Sequence, residues 1–191
     1  WSSCSPDFGT KSILDRFSQI KPKVFITTNA YQYNGKLFNK TAEVNTIKTS
    51  IPSIKNVLMV NYIPNIETER SHDSWEKIIS GKEFKLKFER VEFNHPIWVL
   101  YSSGTTGKPK SITRSVGGIL IEHFKALGLH QNVKPGETFF WYSTTGWMMW
   151  NYAVSALLVG GTVAIYDGYP TFPDTSTLWR FAEEAEITHF G

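Results

Sequence analysis

The chain predicts an α/β fold with parallel-rich sheets flanked by helices, on three observations. Helical spacing and short β-rich runs alternate from one end to the other. The apolar runs KNVLMVNYI and PIWVL are nearly continuous, the pattern of strands buried on both faces. Turns containing Gly, Pro or Asn separate the elements at the short intervals of helix–strand units.

TKSILDRFSQI places Ile13, Phe17 and Ile20 at helical spacing, and KVFITT after Pro22 is a β-rich run. In YQYNGKLF, Asn34-Gly35 between extended flanks marks a hairpin. TAEVNTIKTSI returns to helical spacing through Val44, Ile47 and Ile51, and the strand KNVLMVNYI follows. Residues 63–84 are polar, with PNIETERSHDS an exposed loop. FKLKFERVEF then alternates apolar and charged residues, as a half-exposed strand does. Asn94-His95-Pro96 breaks the pattern. We therefore divide the chain into 1–94, a portion of a first α/β subdomain, and 95–191, a portion of a second.

The second portion opens with the strand IWVLYSSG. RSVGGILIEHFKALGLH spaces Val116, Ile119, Leu120, Phe124 and Leu127 along one helical face, with Gly128 as its C-cap. KPGET is a turn and FFWYST a strand. WMMWNYAVSALLVGG is an apolar helix closed by Gly160-Gly161. TVAIYDG is a strand and turn, TLWRFAEEAEI an amphipathic helix, and ITHFG the start of a strand. Opening at Trp1 without Met and closing on that strand, the chain reads as an internal piece of a longer one, both portions belonging to one larger domain.

The 191 residues carry 20 Lys and Arg against 17 Asp and Glu, a formal charge of +3, with the basic residues scattered. That excludes an electrostatic track for nucleic acid. No apolar stretch approaches the roughly 18 residues of a membrane span. The lone Cys4 excludes an internal disulfide and fits a reducing, cytoplasmic setting. Cys4 has no His or Asp in a nucleophilic arrangement with it. His72, His95 and His189 stand singly, and His123 and His130 have no third ligand at metal-site spacing, so no metal site is expected. Asp7 and Asp167 sit in turn settings as backbone caps.

The informative stretch is YSSGTTGKPK, 101–110, directly after PIWVL. A Walker loop needs Gly where Ser102 stands and Ser or Thr where Pro109 stands, and the dinucleotide fingerprint needs a third glycine. The composition still suits an anion. Ser102, Ser103, Thr105 and Thr106 carry hydroxyl donors, Gly104 and Gly107 let backbone N–H groups converge, and Lys108 and Lys110 bring positive charge. Composition alone leaves two readings open, a phosphate loop and a solvated Gly/Ser/Thr linker.

The order of residues in YSSGTTGKPK resembles the signature of the adenylate-forming acyl-CoA synthetase superfamily at all ten positions, with a strand before it. WSSCSPDFG, GGILIEHFKALGLH, TTGWMMWNYAVSALLVGGT and YDGYP are similar to its acetoacetate-activating branch. The likeness covers nearly the whole chain and is weakest over 29–90. It implies part of the large N-terminal domain of an adenylate-forming enzyme. It further implies ATP with Mg²⁺, coenzyme A as co-substrate, and a short acid, acetoacetate first, with acetate or propionate as alternatives. A binding module without turnover is the competing class.

By the same resemblance, Ser102, Ser103, Gly104, Thr105, Thr106, Gly107, Lys108 and Lys110 hold the ATP phosphates. Trp147, Met148 and Met149 surround the acyl group, where acetate-activating relatives carry a small residue and a Thr after the Trp. The superfamily's acidic Mg²⁺/ATP motif, ribose-binding Asp and C-terminal catalytic lysine are expected beyond residue 191. The 191 residues alone are therefore expected to be inactive. Small-molecule partners are implied, neither nucleic acid nor membrane, and oligomeric state is left open.

Overall fold

The computed structural model describes residues 1–66, 72–81, 83–103 and 107–191. The elements follow in chain order. The first half holds α1 (Thr10–Ile20), β1 (Val24–Thr28), β2 (Ala30–Tyr33), β3 (Lys36–Asn39), α2 (Thr41–Ser50), β4 (Asn56–Val60), β5 (Asp73–Ser74) and α3 (Trp75–Ile79). The second half holds β6 (Pro96–Tyr101), β7 (Ser111–Ser115), α4 (Val116–Phe124), β8 (Thr138–Phe140), α5 (Met148–Val154), β9 (Thr162–Val163), α6 (Thr177–Glu184) and β10 (His189–Phe190). Two compact units emerge, one of residues 6–89 with 101–111, the other of 1–5, 90–100 and 112–191.

In the first unit, β1 and β4 run parallel from Val24 opposite Asn56 to Thr28 opposite Val60, and β5 adds to β4 in parallel. A parallel pair requires a crossover, and it contains α2. Ile13 and Phe17 of α1, Val44 and Ile47 of α2, and Phe25, Val57, Leu58 and Met59 of the strands form the buried core. Phe17 meets Phe25 edge to face at 6.1 Å. The hairpin forms as expected, Tyr33 opposite Lys36, because Asn34 and Gly35 both take positive φ (47° and 70°).

Asn29 ties this unit together. It is 1% exposed, its amide donates to the Ile63 carbonyl (2.7 Å), and its side-chain oxygen accepts from Ile63 N–H (3.1 Å). Its backbone N–H donates to Val60 O and its carbonyl accepts from Lys40. One buried polar side chain thus joins the ends of β1 and β4 with its polar groups satisfied.

In the second unit, β8 is the centre of a parallel sheet ordered β10-β8-β9, while β6 and β7 pair separately. Leu127, Val133, Phe139, Tyr152, Ala153 and Ala156 make its core. The strands are shorter than expected: of FFWYST only the first two residues, preceded by Thr138, are strand, and of TVAIYDG only Thr162–Val163. The apolar helix holds its α form to Val154, tightens to a 3₁₀ turn over Ser155–Val159, and ends at Gly160 with φ 78°. That is the left-handed cap expected of glycine.

Three expectations are corrected. FKLKFERVEF forms no strand: Phe84, Leu86 and Phe88 are 87%, 76% and 78% exposed, because a strand without a ladder has no face to bury. Gly128 is not a C-cap. It lies inside a π-helical turn over Lys125–His130 that continues α4, and the chain turns at Asn132 with φ 59°. The buried positions of this helix are Gly117, His123 and Leu127, while Leu120 and Phe124 are exposed. Gly117 sets that orientation, since a Cβ there would come within 2.1 Å of the Phe93 ring. Among the described residues no helix is long and apolar enough to cross a membrane.

Asn29→Ala strands the Ile63 backbone groups in a buried site. We expect a loss of about 2 kcal/mol or more in the urea-unfolding free energy. An unchanged midpoint would show that Asn29 does not carry the β1–β4 junction.

Candidate functional site

The loop after β6 is gripped at its neck. Ser102 N–H donates to Lys110 O (3.0 Å), and Lys110 N–H donates to Ser102 Oγ (2.9 Å). The hydroxyl therefore accepts with its oxygen, and among the described residues its own proton has no acceptor. One face of α1 holds the rest. Tyr101 Oη donates to Arg16 O (2.9 Å), Gln19 Nε2 donates to Pro109 O (2.7 Å), and the Arg16 guanidinium lies 5.8 Å from the Tyr101 ring centre. Pro109 is buried, while Ser103, Gly107, Lys108 and Lys110 are exposed.

Lys108 Nζ stands 3.5 Å from Asp15 Oδ1, with its side chain 81% exposed. An exposed pair of this kind contributes about 0–1 kcal/mol, a hold that a polyphosphate can displace. Gly104, Thr105 and Thr106 lie outside the described residues. Among the described residues the neck thus offers a hydroxyl proton without an acceptor and two exposed lysines beside a glycine, groups that suit an anion.

The second constellation lies in the other unit, at the entrance to α5. Residues 1–5 run alongside it: Ser2 Oγ donates to Val99 O (2.8 Å), Val99 N–H to Trp1 O (2.8 Å), and Thr145 Oγ1 to Cys4 O (3.4 Å). Ser3 Oγ donates to Thr145 O. A Cβ at Gly146 would sit 3.0 Å from Ser5 N, so only glycine lets the two backbones approach this closely.

Beyond Gly146, α5 turns Met148 and Met149 into an open cleft of about 280 Å³, completed by Glu122, His123, Gln131, Trp141 and Tyr152. This is the small end of the size range of ligand sites, about 300–1,000 Å³. Trp147 does not line it; its side chain is 57% exposed at the helix N-cap. The resemblance brought Met148 and Met149 to notice, whereas His123 was weighed only as a metal ligand and set aside.

His123 is 4% exposed, with Nδ1 2.7 Å from Ser155 Oγ and its ring between Trp98 (5.7 Å) and Tyr152 (5.2 Å, edge-on). Burial pushes the imidazole below its ordinary pKa, against an opposing pull from the Glu122 carboxylate. Glu122 itself is held ionised by Lys125, 2.7 Å away. The available signal was an imidazole set beside Glu122 in a largely apolar helix, GGILIEHF.

A histidine with a lowered folded pKa takes up its proton more readily when unfolded. Stability is then full above the unfolded value, 6.5, and declines as pH falls below it towards the folded value. The urea midpoint should fall between pH 7 and pH 5, and His123→Gln should flatten that fall. An unaltered pH profile in the variant would place the titration elsewhere.

Comparisons with known proteins agree with one another. The sequence model of the family described as AMP-binding enzyme matches residues 2–191. Acetoacetyl-CoA synthetase of Gallus gallus is 40% identical over 200 residues, covering 100% of this chain and 30% of that protein. Acetoacetyl-coenzyme A synthetase of Rhizobium meliloti (strain 1021) is 41% identical over 194 residues, again 100% of this chain and 30% of that one. The solved structure of acetoacetyl-CoA synthetase from Streptomyces lividans superposes with a TM-score of 0.95 at 46% identity, over 100% of this chain and 29% of that chain. The chain thus spans about 30% of the length of the curated relatives it matches. By the family match over 2–191, the chain belongs to the AMP-binding enzymes.

Proposed function

We propose that the chain is part of an ATP-dependent acid–thiol ligase that activates acetoacetate, supplying the phosphate loop and a wall of the acyl site. The observation that carries this reading is the neck of the 101–110 loop, where the Ser102 proton has no acceptor among the described residues, Lys108 is 81% exposed in a loose pair with Asp15, and Lys110 is exposed. Likeness to acetoacetyl-CoA synthetases over the whole chain supports acetoacetate ahead of acetate or propionate. In this reading 1–94 and 95–191 are portions of two subdomains of one larger domain. The enzyme is cytoplasmic, in keeping with its lone cysteine.

The reaction has two steps. A carboxylate oxygen of the acid attacks the α-phosphorus of ATP, the bond to the bridging oxygen breaks, and pyrophosphate leaves. The sulfur of coenzyme A, having lost its proton, then attacks the acyl carbon and AMP leaves. The loop acts in the first step. Ser102, Ser103, Thr105 and Thr106 donate to the β- and γ-phosphates, Gly104 and Gly107 open the backbone to them, and Lys108 and Lys110 offset the charge that builds on the departing pyrophosphate. This is positioning and electrostatic stabilisation, with no covalent bond to the protein. Mg²⁺ enters with the nucleotide. Met148 and Met149 give the acyl group an adaptable apolar wall, with Trp147 at its rim.

Acid-dependent exchange of labelled pyrophosphate into ATP by the full-length protein tests this directly. Exchange is expected to be strongest with acetoacetate, weaker with 3-hydroxybutyrate, acetate and propionate, and about 10- to 100-fold lower in Lys108→Ala. Exchange strongest with acetate or propionate would keep the chemistry and discard the acid. No exchange from a folded protein would leave a nucleotide-binding module.

A further inference from the structure

The cleft beside α5 sets a few polar groups among apolar walls. Met148, Met149 and Trp141 are apolar walls, and Glu122 is a carboxylate already engaged by Lys125. His123 is different: it is buried and clamped between Trp98 and Tyr152. With Nδ1 taken up by Ser155, the ring nitrogen left for a ligand is Nε2. We propose that His123 is the specificity residue of the acyl site, donating from Nε2 to the oxygen on the third carbon of a short 3-oxo acid, with Ser155 as its positioning residue. The inference rests on reading this cleft as the acyl site.

Which of two acceptors the Ser155 hydroxyl serves decides which ring nitrogen carries the proton. It has one proton to give, to Asn151 O at 2.9 Å as it stands here or to His123 Nδ1 at 2.7 Å once a keto oxygen draws the ring proton to Nε2. Asn151 O also receives the backbone N–H of Ser155, so it keeps a donor when the hydroxyl turns away. With the hydroxyl donating to Nδ1, the proton of the neutral ring sits on Nε2, where a keto oxygen can accept it. An alkanoic acid of the same length offers no acceptor there and leaves a buried N–H unpaired. That is the situation in which a hydrogen-bonding site rejects an isosteric analogue strongly. The cleft also holds a buried Gln131 side-chain oxygen without a hydrogen-bond partner among the described residues, a place for a ligand or water to donate.

The test compares acetoacetate with butyrate, which has the same four-carbon chain but no keto oxygen, in pyrophosphate exchange by the full-length enzyme. His123→Leu is expected to lower kcat/KM for acetoacetate about 10- to 100-fold and to leave butyrate within about threefold. Retained butyrate activity doubles as evidence that the variant is folded. Ser155→Ala keeps the ring but frees Nδ1, and the acetoacetate-to-butyrate ratio should fall there as well. It decides the matter should His123→Leu not fold.

Equal loss with both acids, or an unchanged ratio, overturns the proposal. So does a fall in the ratio confined to Gln131→Leu or Tyr152→Phe, two of the cleft's other donors. Met149→Trp separates the two levels of inference. If filling the cleft leaves both acids unaffected, the acyl-site reading fails. If it abolishes both while His123→Leu keeps the ratio, that reading stands and His123 is excluded as its specificity residue.

Discussion

A loop that presents N–H groups to an anion cannot spend those groups on its own packing, so its anchorage has to come from its neck. That constraint organises the first unit. The exchange between Ser102 and Lys110 closes the neck, and α1 receives it through the Arg16 carbonyl, Gln19 and Asp15. These α1 positions lie on one side of the helix, while Ile13 and Phe17 of the same helix face the core. The buried face of α1 fixes the helix on its sheet, and its opposite edge carries the loop. The Asp15–Lys108 contact is the weakest of these ties and, on the proposed reading, the one a nucleotide displaces.

The second unit depends in the same way on α5 and the 3₁₀ turn that continues it. Tyr152, Ala153 and Ala156 fill the core, Met148 and Met149 face the cleft, and Asn151 and Ser155 reach polar partners. Asn151 Oδ1 accepts from Trp1 Nε1 at 3.4 Å, which fixes its amide orientation because an indole N–H can only donate. Its Nδ2 is then a buried donor without a partner among the described residues. The close approach at Gly146 completes the arrangement by bringing residues 1–5 against the helix entrance. A single helix therefore carries core, cleft and polar ties, and a change at its start bears on all three.

Much of this was legible in the sequence because local signals and the final fold agree. The helix over TKSILDRFSQI, the Asn34-Gly35 hairpin and the Gly160 cap each rest on backbone preferences that need no distant partner. The segment 84–93 misled because its alternation matches a strand, yet strand formation depends on a neighbour that no local pattern encodes. The α4 face was misjudged because hydrophobicity ranks Leu120 and Phe124 above a glycine. What decides the packing is that Gly117 lies flat on Phe93. His123 escaped for a related reason. Spacing finds histidines that share a ligand, whereas this one is defined by Ser155, Trp98 and Tyr152, distant in the chain. The loop composition left phosphate site and linker open together, and the closed neck, unseen in the sequence, is what favours the first.

The most direct test of the loop's role is calorimetric titration of the full-length protein with ATP and, separately, with AMP, in the native form and in Lys108→Ala. If the loop holds the outer phosphates, the variant loses about tenfold or more in affinity for ATP while AMP, which lacks those phosphates, binds as before. Equal weakening for both nucleotides, or none for ATP, would contradict the account.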